Sequence, residues 1–164
     1  MLKTADYFAA LPPEAQQALE AKARGYLKEE RSNRASIGMR ARAEGGTLPH
    51  CPPLGYRKGS VDGKATAVPD PVTGPLVAEA LGMLAQRKAS LRKVLAEMTA
   101  KGLRNRKGLP LSFSSFQAMA ANPFYAGIVR YEGKEYPGSH EPLVSMELFQ
   151  RIQGHLEERN RRGR

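Results

Sequence analysis

The spacing of the prolines constrains this chain more than any other feature, because it leaves one long segment free to form a helix. After Pro12 and Pro13 the next proline is Pro49, and helix-favouring residues dominate the stretch between them. Proline in the first turn predicts the helix start, and Gly45-Gly46 predicts its end. Such a helix would be about 45 Å long. A small globule cannot cover that length, so we expect the helix to protrude.

The predicted helix combines a thin apolar stripe with a basic final third. The stripe consists of Ala15, Leu19, Ala23, Tyr26, Leu27 and Ile37. The final third carries Arg31, Arg34, Arg40 and Arg42. A charge run of this kind is either a solvated face or a surface that crosses a nucleic-acid backbone. The sequence leaves both interpretations open.

Residues 47–63 are predicted to form an extended basic arm. Pro49, Pro52 and Pro53 each fix their own φ and bias the preceding residue away from helix. An extended arm with a basic end can follow a groove in a partner, whereas the alternative interpretation is a plain interdomain linker. A short strand is expected near residues 65–68.

Apolar spacing and capping signals predict three helices in the centre of the chain. The first covers about residues 76–86, and the second begins after Ser90 as its N-cap and ends at Gly102. The third is short. We expect Ser114 and Gln117 to open it with a capping box and Pro123 to limit its end.

The residues after Gly127 are predicted to form a small hairpin and a final helix. Residues 128–136 alternate around a Glu132-Gly133 turn, and Ser145 is placed to cap the last helix. Residues 159–164 are expected to be a frayed tail. The fold class is therefore mainly α with a small β-hairpin and a helix-turn-helix-like centre. The predicted organisation is a long helix over 1–46, an arm over 47–63 and a domain over 64–164.

Composition narrows the function classes. The formal net charge is +10, which predicts attraction to a polyanion. No apolar run can cross a bilayer, and the amino terminus has no secretory signal, so a cytoplasmic protein with no membrane partner is expected. Cys51 is the single cysteine, which excludes an internal disulfide. His50, Cys51, His140 and His155 lack metal-ligand spacing, and no metal site is predicted.

A basic loop precedes the predicted short helix. Arg104, Asn105, Arg106 and Lys107 form either a solvated charge run or a phosphate-contacting segment. The following helix start offers Ser114, Ser115 and Gln117. These residues either cap the helix or contact DNA, with Gln117 able to pair with adenine. Ser32 lies in a basic segment without an organised base, so no catalytic nucleophile is predicted.

Several ordered motifs occur between about residues 28 and 156. The upstream motif is Glu29 to Arg34. The central motifs are Pro52-Pro53-Leu54-Gly55-Tyr56-Arg57, Ser115-Phe116, Asn122-Pro123-Phe124-Tyr125-Ala126-Gly127, and Gly138-Ser139-His140-Glu141-Pro142-Leu143-Val144-Ser145 with Phe149. Together these motifs resemble the recombinase domain of large serine recombinases, the phage integrases and transposon resolvase-invertases. The upstream motif resembles the end of the long helix that leaves their catalytic domain.

The resemblance implies binding to double-stranded attachment-site DNA without a cofactor. The arm would track the minor groove, and Tyr56 would pack it onto the domain. The implied DNA contacts are Arg34, Arg40, Arg42, Thr47, His50, Arg57, Lys58, Arg104, Asn105, Arg106, Lys107, Ser114, Ser115 and Gln117. The family's tyrosine-x-arginine-x-serine motif and zinc-ribbon cysteines are absent from this sequence. We therefore expect this chain to bind DNA without itself catalysing strand exchange.

Other functions stay open at this point. The full-length recombinase would be a dimer or tetramer, whose contacts could involve the long helix. The alternatives are a non-catalytic helix-turn-helix regulator or recombination accessory factor, and a structural module that pairs through the long helix. RNA binding is compatible with the charge, but no exposed aromatic cluster for stacking single-stranded bases is evident.

Overall fold

The computed structural model describes residues 11–61, 63–87 and 89–162. It confirms a mainly α fold with small β-hairpins. The chain divides into two compact units, residues 1–40 and 41–164. The helices are α1 (Pro13–Glu44), α2 (Thr73–Ala85), α3 (Leu91–Ala100), α4 (Phe113–Ala120) and α5 (Met146–Arg162), with a 3-10 helix over Pro123–Ala126. The strands are β1 (Tyr56–Val61), β2 (Lys64–Pro69), β3 (Ile128–Tyr131) and β4 (Lys134–Pro137).

The first unit contains most of α1, which begins at Pro13 and ends before Gly45-Gly46 as the prolines and glycines predict. Residues 1–10 of the predicted 1–46 segment lie outside the described part of the chain. Its larger apolar side chains, Leu19, Tyr26, Leu27 and Ile37, are all exposed. Pairs with i,i+4 spacing, such as Glu30 with Arg34 at 3.2 Å, support the helix weakly because both partners are solvated. None of the helices in the described residues is long and apolar enough to span a membrane.

The end of α1 belongs to the second unit and is built on a glycine. Gly46 has φ +74°, and its N–H donates to Ala43 O at 2.9 Å while Thr47 N donates to Arg42 O at 2.8 Å. A Cβ at this position would lie 2.6 Å from Pro137 O. Glycine is therefore required both by the left-handed backbone and by the close approach of β4.

The core of the second unit lies where α2, α3, α4 and α5 meet. The predicted inner faces are confirmed, with Val77, Leu81, Val94, Met98, Phe116, Phe149 and Ile152 buried. Ser90 and Ser145 cap their helices as predicted, since their hydroxyls accept from Lys93 N at 3.3 Å and Leu148 N at 3.2 Å. Gly102 ends α3, and Leu103 is fully buried behind it.

Three sequence expectations differ from the structure. The segment taken as an arm contains β1, which pairs antiparallel with β2 from Tyr56↔Pro69 to Val61↔Lys64. The segment taken as a frayed tail is helical through Arg162, and residues 163–164 lie outside the described part of the chain. The N-cap of α4 is Ser112 rather than Ser114, because the Ser112 hydroxyl accepts from Ser115 N at 3.1 Å.

Candidate nucleic-acid interface

Helix α4 buries one face and exposes the other. Phe116, Met119 and Ala120 are in the core, whereas Ser114, Ser115 and Ala118 are exposed and Gln117 is half-buried. At about 100° per residue, Ser114 and Ala118 lie at the centre of the exposed face, with Ser115 and Gln117 on its two flanks. The helix start is therefore accessible to a partner.

The Ser112 cap explains why α4 begins two residues earlier than predicted. The Ser112 hydroxyl lies 3.1 Å from Ser115 N and 2.8 Å from Ser115 Oγ. This cap satisfies one of the backbone donors at the helix start. Ser114 sits in the first turn with its side chain on the exposed face, so it is not needed as a cap.

The loop before α4 is a turn held by hydrogen bonds of Asn105. Asn105 Oδ1 accepts from Lys107 N at 2.8 Å and from Leu109 N at 3.1 Å, and Asn105 N donates to Leu109 O at 2.8 Å. Asn105 thus shapes the loop, as side chains in Asx turns do. These bonds hold the backbone at Lys107, whose side chain is exposed.

The arginines of this loop are partly engaged with backbone carbonyls. Arg104 Nη1 donates to Thr99 O at 2.6 Å and to Leu103 O at 2.9 Å, at the end of α3. Arg106 donates to Pro52 O, so it bridges the loop and the arm. None of these three bonds neutralises a guanidinium charge, and together they fix where the two charges lie.

Residues 52–56 of the arm are anchored to the helical domain. The Tyr125 hydroxyl donates to Leu54 O at 2.7 Å, and the Tyr56 hydroxyl donates to Glu141 O at 2.8 Å. Burial raises the pKa of Tyr56 to about 12, so this hydroxyl stays protonated near neutral pH. The predicted packing role of Tyr56 is confirmed, since the side chain is 4 % exposed.

Removing the Tyr56 hydroxyl should destabilise this anchor. Tyr56→Phe keeps the ring but leaves Leu143 N, which donates to the hydroxyl at 3.1 Å, without its acceptor. We expect a loss of about 1–3 kcal/mol in the free energy of unfolding, the cost of an unsatisfied buried donor. Urea denaturation measures it, with Tyr26→Phe as the control at a residue that is 69 % exposed. Equal losses in the two variants would contradict the anchor.

Three adjoining grooves in the second unit bring many of the predicted residues onto one surface. The first, of about 490 Å³, lies between the arm and α4 and includes Asn105, Arg106, Lys107 and Ser115 with Pro52 and Ala118. The second, of about 340 Å³, includes Arg57, Lys58, Arg104, Asn105 and Arg106. The third, of about 400 Å³, includes Arg42, Thr47, His50 and Lys58. Shared residues connect each groove to the next, and we call this the basic surface.

Four predicted residues lie outside these grooves. Arg34 and Arg40 belong to the first unit, and both are exposed on α1. Ser114 and Gln117 lie on α4, at the centre and on the far flank of its exposed face. The residues predicted as one set of DNA contacts are therefore distributed over α1, the basic surface and the exposed face of α4.

His140, Lys101 and Asp70 of the second unit also have shifted pKa values. Burial lowers the pKa of His140, whose ring stacks on Phe124 at 3.6 Å, so it is uncharged near neutral pH. Hydrogen bonds that the Lys101 ammonium group donates to Glu79 and Glu97 raise the pKa of Lys101. Asp70 lines the second groove, and hydrogen bonds from Thr73 lower the pKa of this carboxyl. The Asp70 carboxyl therefore accepts hydrogen bonds from the backbone at the start of α2.

Comparison with known proteins agrees with this architecture. The family model described as Recombinase matches residues 71–159, more than half of the chain. The chain belongs to the Recombinase family. This membership confirms the resemblance to large serine recombinases found in the sequence. The matched range begins just before α2, so the arm and the β1–β2 hairpin precede it.

Solved structures share the recombinase fold. A structure from work on the sequence requirements of the Listeria innocua prophage attP site has a TM-score of 0.61 and 20% identity. The match covers 76% of this chain and 51% of the chain in that structure. A crystal structure of a LSR-DNA complex has a TM-score of 0.60 and 20% identity. The match covers 76% of this chain and 38% of the chain in that structure. This recombinase chain thus spans about half or less of those chains. No curated protein matched it.

Several residues of this region could not be identified from the sequence patterns. Ser112 and Ala118 were overlooked because the Ser-x-x-Gln spacing at Ser114 favoured a different helix start. Pro52 was expected to be part of a free arm, whereas it is buried beside Arg106. Ser112 is an N-cap of the same kind as Ser90. In both cases the serine hydroxyl accepts a hydrogen bond from the backbone N–H three residues later.

Proposed function

We propose that this chain binds double-stranded DNA sequence-specifically at attachment sites, as the DNA-binding part of a serine site-specific recombinase. The observation that carries the proposal is the position of the basic surface beside the exposed start of α4. A recognition helix next to ordered cations is the arrangement that helix-turn-helix proteins use in the major groove. Here the two helices α3 and α4 are joined by residues 101–112, a longer connection than the usual turn.

Phosphate contacts would come from the basic surface. Arg57 and Lys58 are exposed on β1, and Lys107 is exposed in the ordered loop. Arg106 holds the arm and is also exposed, so it can contact a phosphate while keeping its bond to Pro52 O. Such contacts fix the register of a protein on the duplex, but they do not distinguish bases.

Base contacts would come from the exposed face of α4. Ser114 can donate or accept a hydrogen bond, and the Ala118 methyl group can contact a thymine methyl group. Gln117 lies on the flank of the same face and its amide can pair with adenine. The small side chains at the centre would let the helix approach the groove floor closely.

Replacing Gln117 by alanine should weaken specific binding while sparing nonspecific binding. We expect a loss of about 1–3 kcal/mol on a duplex selected for tight binding, because one amide pairing with a base is removed. Fluorescence anisotropy on selected and scrambled duplexes measures both affinities. Gln150→Ala, at an exposed glutamine of α5, is the matched control. Equal losses on the two duplexes would assign Gln117 a structural role.

In the full-length recombinase, the strand exchange would be performed by a separate serine-bearing domain. That chemistry is a transesterification through a serine–DNA linkage, and it requires no metal or nucleotide. The part described here would position that domain on its site. The exposed apolar side chains of α1 would serve contacts between protomers of a dimer or tetramer.

A further inference from the structure

Two arginines stack on the aromatic ring at the first residue of α4. The Arg92 guanidinium carbon lies 4.9 Å from the centroid of Phe113, and that of Arg159 lies 5.8 Å from it. Arg92 comes from α3 and Arg159 from α5, so three helices contribute to one cluster. Both distances fall within the range of cation–π attraction.

The charges of this cluster are not neutralised within the described part of the chain. Neither Arg92 nor Arg159 forms an ion pair there, and the neighbouring Glu158 is bound to Arg87. Arg92 is exposed and Arg159 is half-buried. The ring orients the guanidinium groups without reducing their charge, so they are available to an anion.

The cluster lies on the flank of α4 opposite the basic surface. Phe113 and Ser115 are two residues apart, which places them about 200° apart around the helix axis. Ser115 lines the groove beside Arg106 and Lys107. The Phe113 ring contacts the guanidinium groups of Arg92 and Arg159. Ser114 and the rest of the exposed face lie between them. Cations therefore border α4 on both sides.

This spacing fits the dimensions of duplex DNA. An α-helix with its side chains is about 10–12 Å wide, and the major groove is about 12 Å wide with a phosphate backbone along each edge. A helix seated in that groove has one backbone on each flank. The basic surface would contact one of these backbones, which leaves the other for the opposite flank.

We infer that Arg92 and Arg159 form a second phosphate-binding site, which contacts the DNA strand opposite to the one bound by the basic surface. This inference rests on the proposed function. Guanidinium groups present several donors in one plane, which suits phosphate oxygens. Stacking on Phe113 limits their motion before binding, so less conformational freedom is lost when the phosphate is bound.

The test compares a double variant with a charge-matched control on a duplex selected from a random library. Arg92→Gln with Arg159→Gln should lower the slope of log affinity against log salt by about two, since each phosphate contact adds about 0.9. The control, Lys134→Gln with Arg151→Gln, removes equal charge at exposed sites outside the cluster. Hydroxyl-radical footprinting should show protection lost along one strand only.

Two outcomes separate this inference from the proposed function. If the unaltered protein binds no duplex, both are wrong. If it binds with a steep salt dependence but the double variant keeps its slope and the protection of both strands, only the second site is wrong. Arg92→Gln alone changes an exposed side chain and should lower the slope by about one. An unchanged slope in that variant would also overturn the inference.

Discussion

Raising the salt concentration from about 50 to 200 mM should weaken duplex binding by about a thousandfold or more. The surface beside α4 contains Arg57, Lys58, Arg106 and Lys107, and the opposite flank adds Arg92 and Arg159. With Arg42 and the helix start, we expect roughly six to eight phosphates to be neutralised. Each contact releases condensed counterions from the duplex, and salt opposes this release.

The measurement is a titration of labelled duplex at several salt concentrations, with the unfolding midpoint recorded at each one. The midpoint controls for any effect of salt on the fold itself. An equivalent titration with a neutral osmolyte controls for changes in water activity. An affinity that stays the same at 50 and 200 mM would remove the electrostatic basis of the proposed interface.

Neutralising three exposed cations of the basic surface should reduce affinity by roughly a hundredfold or more at about 0.1 M salt. The variant is Arg57→Gln, Lys58→Gln and Lys107→Gln. Arg106 is left unchanged because its bond to Pro52 O also orders the arm. The salt slope should fall by about three, because three phosphate contacts are lost.

A matched triple variant separates local contacts from the effect of net charge. Lys22, Lys134 and Arg151 are exposed and lie outside the three grooves, so their replacement by glutamine removes the same charge elsewhere. We expect this control to bind within a few-fold of the unaltered protein. If both triple variants lose affinity equally, long-range charge rather than the basic surface explains the binding.

The helical part of the fold could be predicted because its signals are local. Pro13 and Gly46 limit α1, and Ser90 and Gly102 limit α3, through backbone requirements that a short window of sequence contains. The buried faces follow from helical spacing, as Val94 and Met98 illustrate. These predictions are confirmed because packing and local preference agree.

The β1 strand could not be predicted from its own residues. Arg57, Lys58 and Gly59 show no apolar alternation, and preceding prolines favour an extended loop. The strand is defined instead by its partner, since Gly59 lies opposite Thr66 and a Cβ there would be 2.7 Å from Val68 Cγ2. Pairing across a hairpin depends on contacts that a single-segment pattern does not contain.

The candidate interface was predicted in its residue types but not in its geometry. Arg106 and Lys107 could be identified by their charge. The bond from Arg106 to Pro52 O joins segments that are 54 residues apart, so the arm's attachment depends on tertiary structure. Arg92 and Arg159 were missed because α3 was considered only for its inner face and the final residues were expected to fray. Their common partner, Phe113, is distant in sequence from both.

The most direct test of a DNA-reading α4 is selection of bound duplexes from a random library, followed by footprinting of the recovered sequences. We predict an enriched motif in which replacing a purine by its 7-deaza analogue weakens binding, because that change removes an acceptor only in the major groove. Ser114→Trp, which places a bulky side chain on the exposed face of α4, should abolish the enrichment while charge-driven binding persists. An unenriched library, or a motif that Ser114→Trp recovers unchanged, would contradict recognition through α4.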